Sequence, residues 1–282
     1  LVGTGTSQHA AELGATVLAA AGVDARWASS ASFVRSPAGP AREDAVVVLS
    51  QSGETAFARG ALARARAEAG DAFGITAAAA GWEGAIETVA PERSQTYSVT
   101  FTAALAVLAR LALALGAPLG EALDRVPAAA ARAVAASAPG VDPGARLVVL
   151  AGAGAAAVSA REGSLKLREG ARMLAEGYEA EMLLNGQAVP LRPGDALIGL
   201  APASDADGLT AGLVAAARDE GISVHEVDDE GVGHPVLDQV ALVIRLQRLA
   251  LGLARARDQD PDTVIEGAWA QASLWARGDP VA

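Results

Sequence analysis

Five consecutive apolar residues, Ala45-Val46-Val47-Val48-Leu49, stand between acidic Glu43-Asp44 and the polar run Ser50-Gln51-Ser52. A run that is apolar at every position, not at alternate ones, predicts a central parallel strand covered on both faces. Shorter apolar pieces predict strands at Leu1-Val2, at Val23 to Trp27 and at Ala72 to Thr76. Between them the spacing predicts helices from about Gln8 to Ala21, from the polar loop to about Ala69, and from about Ser98 to Leu115. Strand and helix in alternation imply a doubly wound sheet with right-handed crossovers.

The pattern then restarts. Ala145 to Leu150, Asp195 to Leu200, Ile222 to Val227 and Val240 to Leu246 read as strands, with helices after the turn at Gly152-Ala153-Gly154, from Gly208 to Glu220, and up to about Arg255. Gly3-Thr4-Gly5 matches Gly152-Ala153-Gly154. Leu49 with Ser50-Gln51-Ser52 matches Leu200 with Ala201-Pro202-Ala203. Nearly equal offsets imply a duplicated unit. The expected fold class is α/β, with two flavodoxin-like or Rossmann-like three-layer αβα subdomains. Their expected bounds are 1–117 and 145–256, with a helical linker at 118–144 and a tail at 257–282.

Composition narrows the chemistry. Hydrophobic residues make up 51% of the 282, much of that alanine, and aromatics only 4%, which favours close helix packing with small side chains. A net charge of −11 without basic clusters argues against nucleic acid and anionic membranes. The most apolar helix is interrupted by Arg110 and is too short to span a bilayer. No signal peptide is visible, so a cytoplasmic protein is expected. The abrupt start at Leu1-Val2 implies a trimmed or missing upstream segment. With no cysteine, thiol chemistry is excluded, and His9, His225 and His234 lack metal-ligand spacing. No metal and no cofactor is expected.

Two stretches carry candidate chemistry. Ser50, Gln51, Ser52 and Thr55 crowd the loop after the central strand, and Thr6 and Ser7 open the neighbouring helix. Both loops leave the carboxyl ends of strands, where open α/β sheets bind ligands. Hydroxyls and helix-start amides together make a phosphate cradle that needs no lysine. An ordinary helix cap is the plainer alternative for Ser50 to Thr55. The second copy has alanines and a proline at the matching positions, so one cradle is expected, not two. The other stretch holds the only lysine of the chain, Lys166, with Glu162 and Glu169 at helical spacing on one face. It is either a proton-transfer site or a surface pair that steadies a helix. A dinucleotide fingerprint is a further alternative, from Gly3-x-Gly5 with Asp24 as the ribose acid, but Gln8 stands at the third glycine position.

Gly5-Thr6-Ser7, Ser50-Gln51-Ser52-Gly53-Glu54-Thr55, Phe101-Thr102 and Glu162-Gly163-x-x-Lys166-x-x-Glu169 resemble, in order and spacing, the double sugar-isomerase (SIS) domain family. That family includes the isomerase half of glucosamine–fructose-6-phosphate aminotransferases and stand-alone phosphosugar isomerases. The resemblance implies that Ser7, Ser50, Gln51, Ser52 and Thr55, with Thr6 alongside, hold the phosphate of a hexose 6-phosphate. It implies that Glu169 moves the proton between C1 and C2, with Lys166 stabilising charge or tuning Glu169, and that the protein is a homodimer. Asn185 stands where the aminotransferases have a ring-opening histidine, and Trp269 where they have a Schiff-base lysine. Gln95 and Tyr97 replace small residues, which makes Tyr97 a candidate to stack on or bond to the sugar. The expected function is a sugar-phosphate isomerase or amino-sugar-phosphate deaminase. The alternatives are a sugar-phosphate sensor without turnover and, more weakly, a dinucleotide-dependent oxidoreductase.

Overall fold

The computed structural model describes residues 1–201, 203–228 and 231–278. It divides into two units: residues 1–119 with 265–278, and residues 120–264.

The first unit is built from β1 (Val2–Gly3), α1 (Thr6–Ala19), β2 (Ala28–Ser29), α2 (Ser30–Arg35), β3 (Ala45–Leu49), α3 (Ala56–Glu68), β4 (Asp71–Thr76), β5 (Ile86–Glu87) and α4 (Val99–Ala114). The sheet order is β2-β1-β3-β4-β5, and every neighbouring pair is parallel. Helices α2 and α3 pack together on one face of the sheet, where Val46 and Val48 meet Ala58, Ala61, Leu62 and Ala65. Helices α1 and α4 pair with each other. Arg64 of α3 donates to the carbonyls of Phe33 (2.7 Å), Val34 (3.2 Å) and Ser36 (2.8 Å). A cation there satisfies the orphan carbonyls at the end of α2. The tail adds a 3₁₀ turn, Gly267–Ala270, and α10 (Ala272–Trp275), and the Ile265 amide donates to the Gln95 side chain.

The second unit repeats the plan: α5 (Gly120–Ala135), β6 (Val148–Gly152), α6 (Ala155–Ala171), β7 (Ala175–Glu179), α7 (Ala180–Met182) continuing into a π turn at Leu183–Gln187, β8 (Ala196–Leu200), α8 (Leu209–Asp219), β9 (Ser223–Val227) and α9 (Pro235–Ala256). The order β7-β6-β8-β9 is again all parallel and matches the first four strands of the other sheet position by position. Along β6, Val148 and Leu150 face α6 and α9, while Val149 and Ala151 face α8. Two buried faces explain why the strand is apolar throughout.

Three expectations change. The run Val240 to Leu246 is not a strand: it lies inside the 22-residue helix α9. Its first two turns are buried on nearly every side, from Val236 to Val243, so the helical period is erased there. The short strand placed at Val23 to Trp27 begins instead at Ala28. The segment 118–144, read as a linker, contributes α5, which packs on α9 within the second unit.

Candidate functional site

In the first unit β1 and β3 are parallel neighbours, with Val2 opposite Val48, so their loops leave the same edge of the sheet. The β1–α1 turn passes through Gly5 at φ 56°, ψ −129°, a conformation open to glycine. That turn sets Thr6 and Ser7, both half-buried, in the first turn of α1.

Beside it, the β3–α3 loop folds on its own hydroxyls. Ser50 Oγ accepts from the Gly53 amide at 3.2 Å, and Ser52 Oγ accepts from the Glu54 amide at 3.1 Å. Each hydroxyl has thereby used a lone pair and keeps its proton to donate. Thr55 occupies the N-cap of α3, yet its side chain makes no capping bond. The plain cap reading therefore does not hold at Thr55, and no side-chain cap competes with an anion there. Gln51 is half-buried between the two serines, and its carbonyl accepts from Ala77 at 3.0 Å.

The loop is also held from outside, by a residue the sequence reading passed over. The indole Nε1 of Trp82 donates to the Gly53 carbonyl at 3.1 Å. The signal available was a tryptophan set among Gly81 and Gly84 in the turn after β4. Glu92 was also undervalued. Its carboxylate accepts from the amides of Ser98 (3.0 Å), Val99 (2.9 Å) and Thr100 (2.8 Å) and from the Ser98 and Thr100 hydroxyls, and so caps α4. Burial works against its charge, but these donors outweigh that and hold its pKa below the ordinary value. Just before α4, Tyr97 sits at φ 45°, a left-handed conformation unusual for a bulky residue.

In the second unit Gly163 brings α6 close to α9 and β6. A Cβ there would lie 2.6 Å from Leu246 and 2.9 Å from Leu150. The face that carries the lone lysine is buried as well. The side chains of Lys166 and Glu162 are 0% exposed and that of Glu169 is 22% exposed. Lys166 Nζ lies 2.7 Å from Glu169 Oε2 and 3.5 Å from Glu162 Oε1. A solvated surface pair is thereby excluded. Burial opposes the charge on Lys166, but the Glu162 and Glu169 carboxylates outweigh it and hold the ammonium above its ordinary pKa. Glu169 is the member of the cluster that is partly open to solvent.

The matching loops of the second unit are built differently. Gly154 repeats the Gly5 conformation, at φ 56°, ψ −123°. The loop after β8 carries carboxylates: Asp205 accepts from the Thr210 amide at 2.7 Å and Asp207 from the Leu209 amide at 2.9 Å, filling the start of α8. A cavity of about 80 Å³ lies there, lined by Ala153, Ala155, Ala201, Ser204, Asp205 and Asp238, among others. Pro202, part of the expected match to Ser50-Gln51-Ser52, lies outside the described residues.

Asn185 is exposed on the π turn, and Trp269 is 79% exposed in the tail. Asp24 is paired with Arg26 at 2.7 Å and precedes β2, whereas a ribose acid belongs at that strand's carboxyl end. The dinucleotide reading loses its acid. Among the described residues no group of three or more His, Asp or Glu side chains is placed to hold a metal ion. No helix among them is long and apolar enough to cross a membrane.

Neither a protein-family model nor a curated protein sequence matches the chain. Solved structures do. Tagatose-6-phosphate ketose/aldose isomerase from Escherichia coli superposes with a TM-score of 0.75 at 17% identity, over 96% of this chain and 85% of that one. Glucosamine-6-phosphate deaminase from Thermotoga maritima gives 0.75 at 18%, over 93% and 86%. The C-terminal domain of glucosamine-fructose-6-phosphate aminotransferase from Francisella tularensis gives 0.68 at 20%, over 93% and 85%. The chain shares the double α/β fold of these phosphosugar isomerases and SIS-domain proteins.

Proposed function

We propose that the protein is an enzyme of phosphosugar metabolism, an aldose–ketose isomerase or amino-sugar-phosphate deaminase acting on a hexose 6-phosphate. The observation that carries this reading is the buried Lys166–Glu169 ion pair, of which the carboxylate is partly open to solvent. Isomerisation takes a proton from one of C1 and C2 of the open-chain sugar and returns it to the other. A carboxylate paired with an ammonium is the form that accepts a proton, and Glu169 fills that role. Lys166, with its side chain 0% exposed, acts through Glu169 by fixing its position and charge. Ser7, Ser50, Gln51, Ser52 and Thr55, with Thr6 beside them, hold the phosphate through hydroxyls and amides at the starts of α1 and α3. The same reading carries a homodimer in the cytoplasm. The folds of an isomerase, a deaminase and an aminotransferase domain support it.

A second reading rests on Asn185 and Trp269. Neither can serve as the acid/base or the Schiff-base amine that the family uses at those positions. In this reading the protein holds a sugar phosphate and reports occupancy without turnover. Incubation with fructose 6-phosphate and glucosamine 6-phosphate in deuterated water separates the two. The enzyme reading expects C1 or C2 exchange by NMR, reduced about 10²- to 10⁴-fold in Glu169→Gln with phosphate-ester binding retained. Tight binding without exchange on either sugar establishes the sensor instead.

A further inference from the structure

The Ser50–Thr55 loop folds on its own hydroxyls, and Trp82 is a side chain from outside that fixes its central peptide. Gly53 sits at φ 72°, where a glycine peptide turns over at little cost. Both of its backbone groups are nonetheless committed. Its amide donates to Ser50 Oγ and its carbonyl accepts from Trp82 Nε1. In a planar trans peptide the carbonyl of one residue and the amide of the next point in opposite directions. Fixing the Gly53 carbonyl toward Trp82 therefore turns the Glu54 amide the other way, onto Ser52 Oγ at 3.1 Å. The reversed peptide would aim a carbonyl dipole into the loop and remove a donor from it.

Trp82 is itself held from three sides. Its ring lies over β4, where Gly74 leaves room for it: a Cβ at Gly74 would be 2.5 Å from the six-membered ring. It packs against the cluster of Val46, Val48 and Leu62. The following residue is tied to α3, since Arg66 donates to the Glu83 carbonyl at 2.7 Å. The fixed end of the bond is thus the indole, and the adjustable end is the glycine peptide.

We propose that Trp82 is a positioning residue for anion binding, whose indole N–H locks the Gly53–Glu54 peptide in the orientation that keeps the Ser50–Thr55 loop receptive to a phosphate group. This rests on the reading of that loop as a phosphate site and names a determinant of its affinity. Trp82→Phe keeps most of the ring and removes the donor. Titration with inorganic phosphate and with fructose 6-phosphate should show both bound about five- to tenfold more weakly, with the melting temperature little changed. The Glu54 amide resonance of the free protein should move. In the isomerase assay KM rises and kcat holds. The coupling is also readable without a variant. If the Trp82 bond favours phosphate, phosphate must in turn favour the bond, and saturating phosphate should slow solvent exchange of the Trp82 indole proton. Affinity in Trp82→Phe within twofold of the parent, or an exchange rate indifferent to phosphate, overturns the proposal and leaves the site reading intact. A parent protein that binds neither probe overturns both.

Discussion

The two units use one plan and differ in what stands at the starts of their helices. In the first, α3 begins without a side-chain cap, behind two hydroxyls that still hold a proton to donate. In the second, α8 begins behind Asp205 and Asp207, which already occupy the amides of Thr210 and Leu209. Burial opposes the charge of Asp205, yet hydrogen bonding from Thr210 and Asp207 outweighs it and lowers its pKa. A helix start takes an anion either from solution or from its own chain. The second unit has supplied its own, and a cavity lined by carboxylates repels a phosphate. The second unit instead carries a buried ion pair on α6, between Lys166 and Glu169.

This contrast can be broken at several points. The largest effect is expected at the amino ends of β6 and β8. There the fully buried Asp195 pairs with Arg146 through two bonds, at 2.9 and 2.6 Å. Asp195→Ala should cost the second unit about 2 kcal/mol, because the Arg146 left behind keeps access to water. Chemical denaturation should then show that unit melting earlier, and a single unshifted transition would mean that the pair contributes little. Next, Ser52→Ala should weaken phosphate-ester binding about 10- to 100-fold, as expected for a lost bond to a charged group. Ser204→Ala, in the corresponding loop of the second unit, should leave affinity unchanged. Equal losses in the two variants would erase the assigned difference between the units.

Smaller is the effect of Glu92→Gln, which should cost about 1–2 kcal/mol at neutral pH by weakening the cap of α4. The sign with pH follows from the depressed pKa. The charged cap contributes fully above about pH 4.5, and its contribution is lost as pH falls through the lower folded value. The difference between parent and variant should therefore shrink in acid; a difference independent of pH would refute the charge as its source. Lys166 titrates at the opposite end. Its raised pKa keeps the ammonium charged below about pH 10.5, so that any loss of stability from its deprotonation begins only above that value.

How far the sequence disclosed this depended on whether a signal was local. Ala45 to Leu49 could be read as a strand residue for residue, because both of its faces are buried and its ends are polar. The spacing of Glu162, Lys166 and Glu169 put them on one face, but only the tertiary structure tells that the face is buried. Burial also hid α9: with Val236 to Val243 buried nearly all round, a helix and a strand look alike. β7 was missed because Ala-Glu-Gly-Tyr-Glu is a half-exposed edge strand with little apolar content. Trp82 and Glu92 were undervalued because their partners lie 29 and up to 8 residues away, across turns whose geometry no spacing rule specifies.

The sole lysine, sealed within α6, has a practical consequence. No other side-chain amine exists for an acylating reagent, acetyl donor or amine cross-linker to find. Its rate of acylation is therefore a single-site clock for how often the surroundings of Lys166 open. Lysine-directed immobilisation, for the same reason, would select molecules caught in the act of opening.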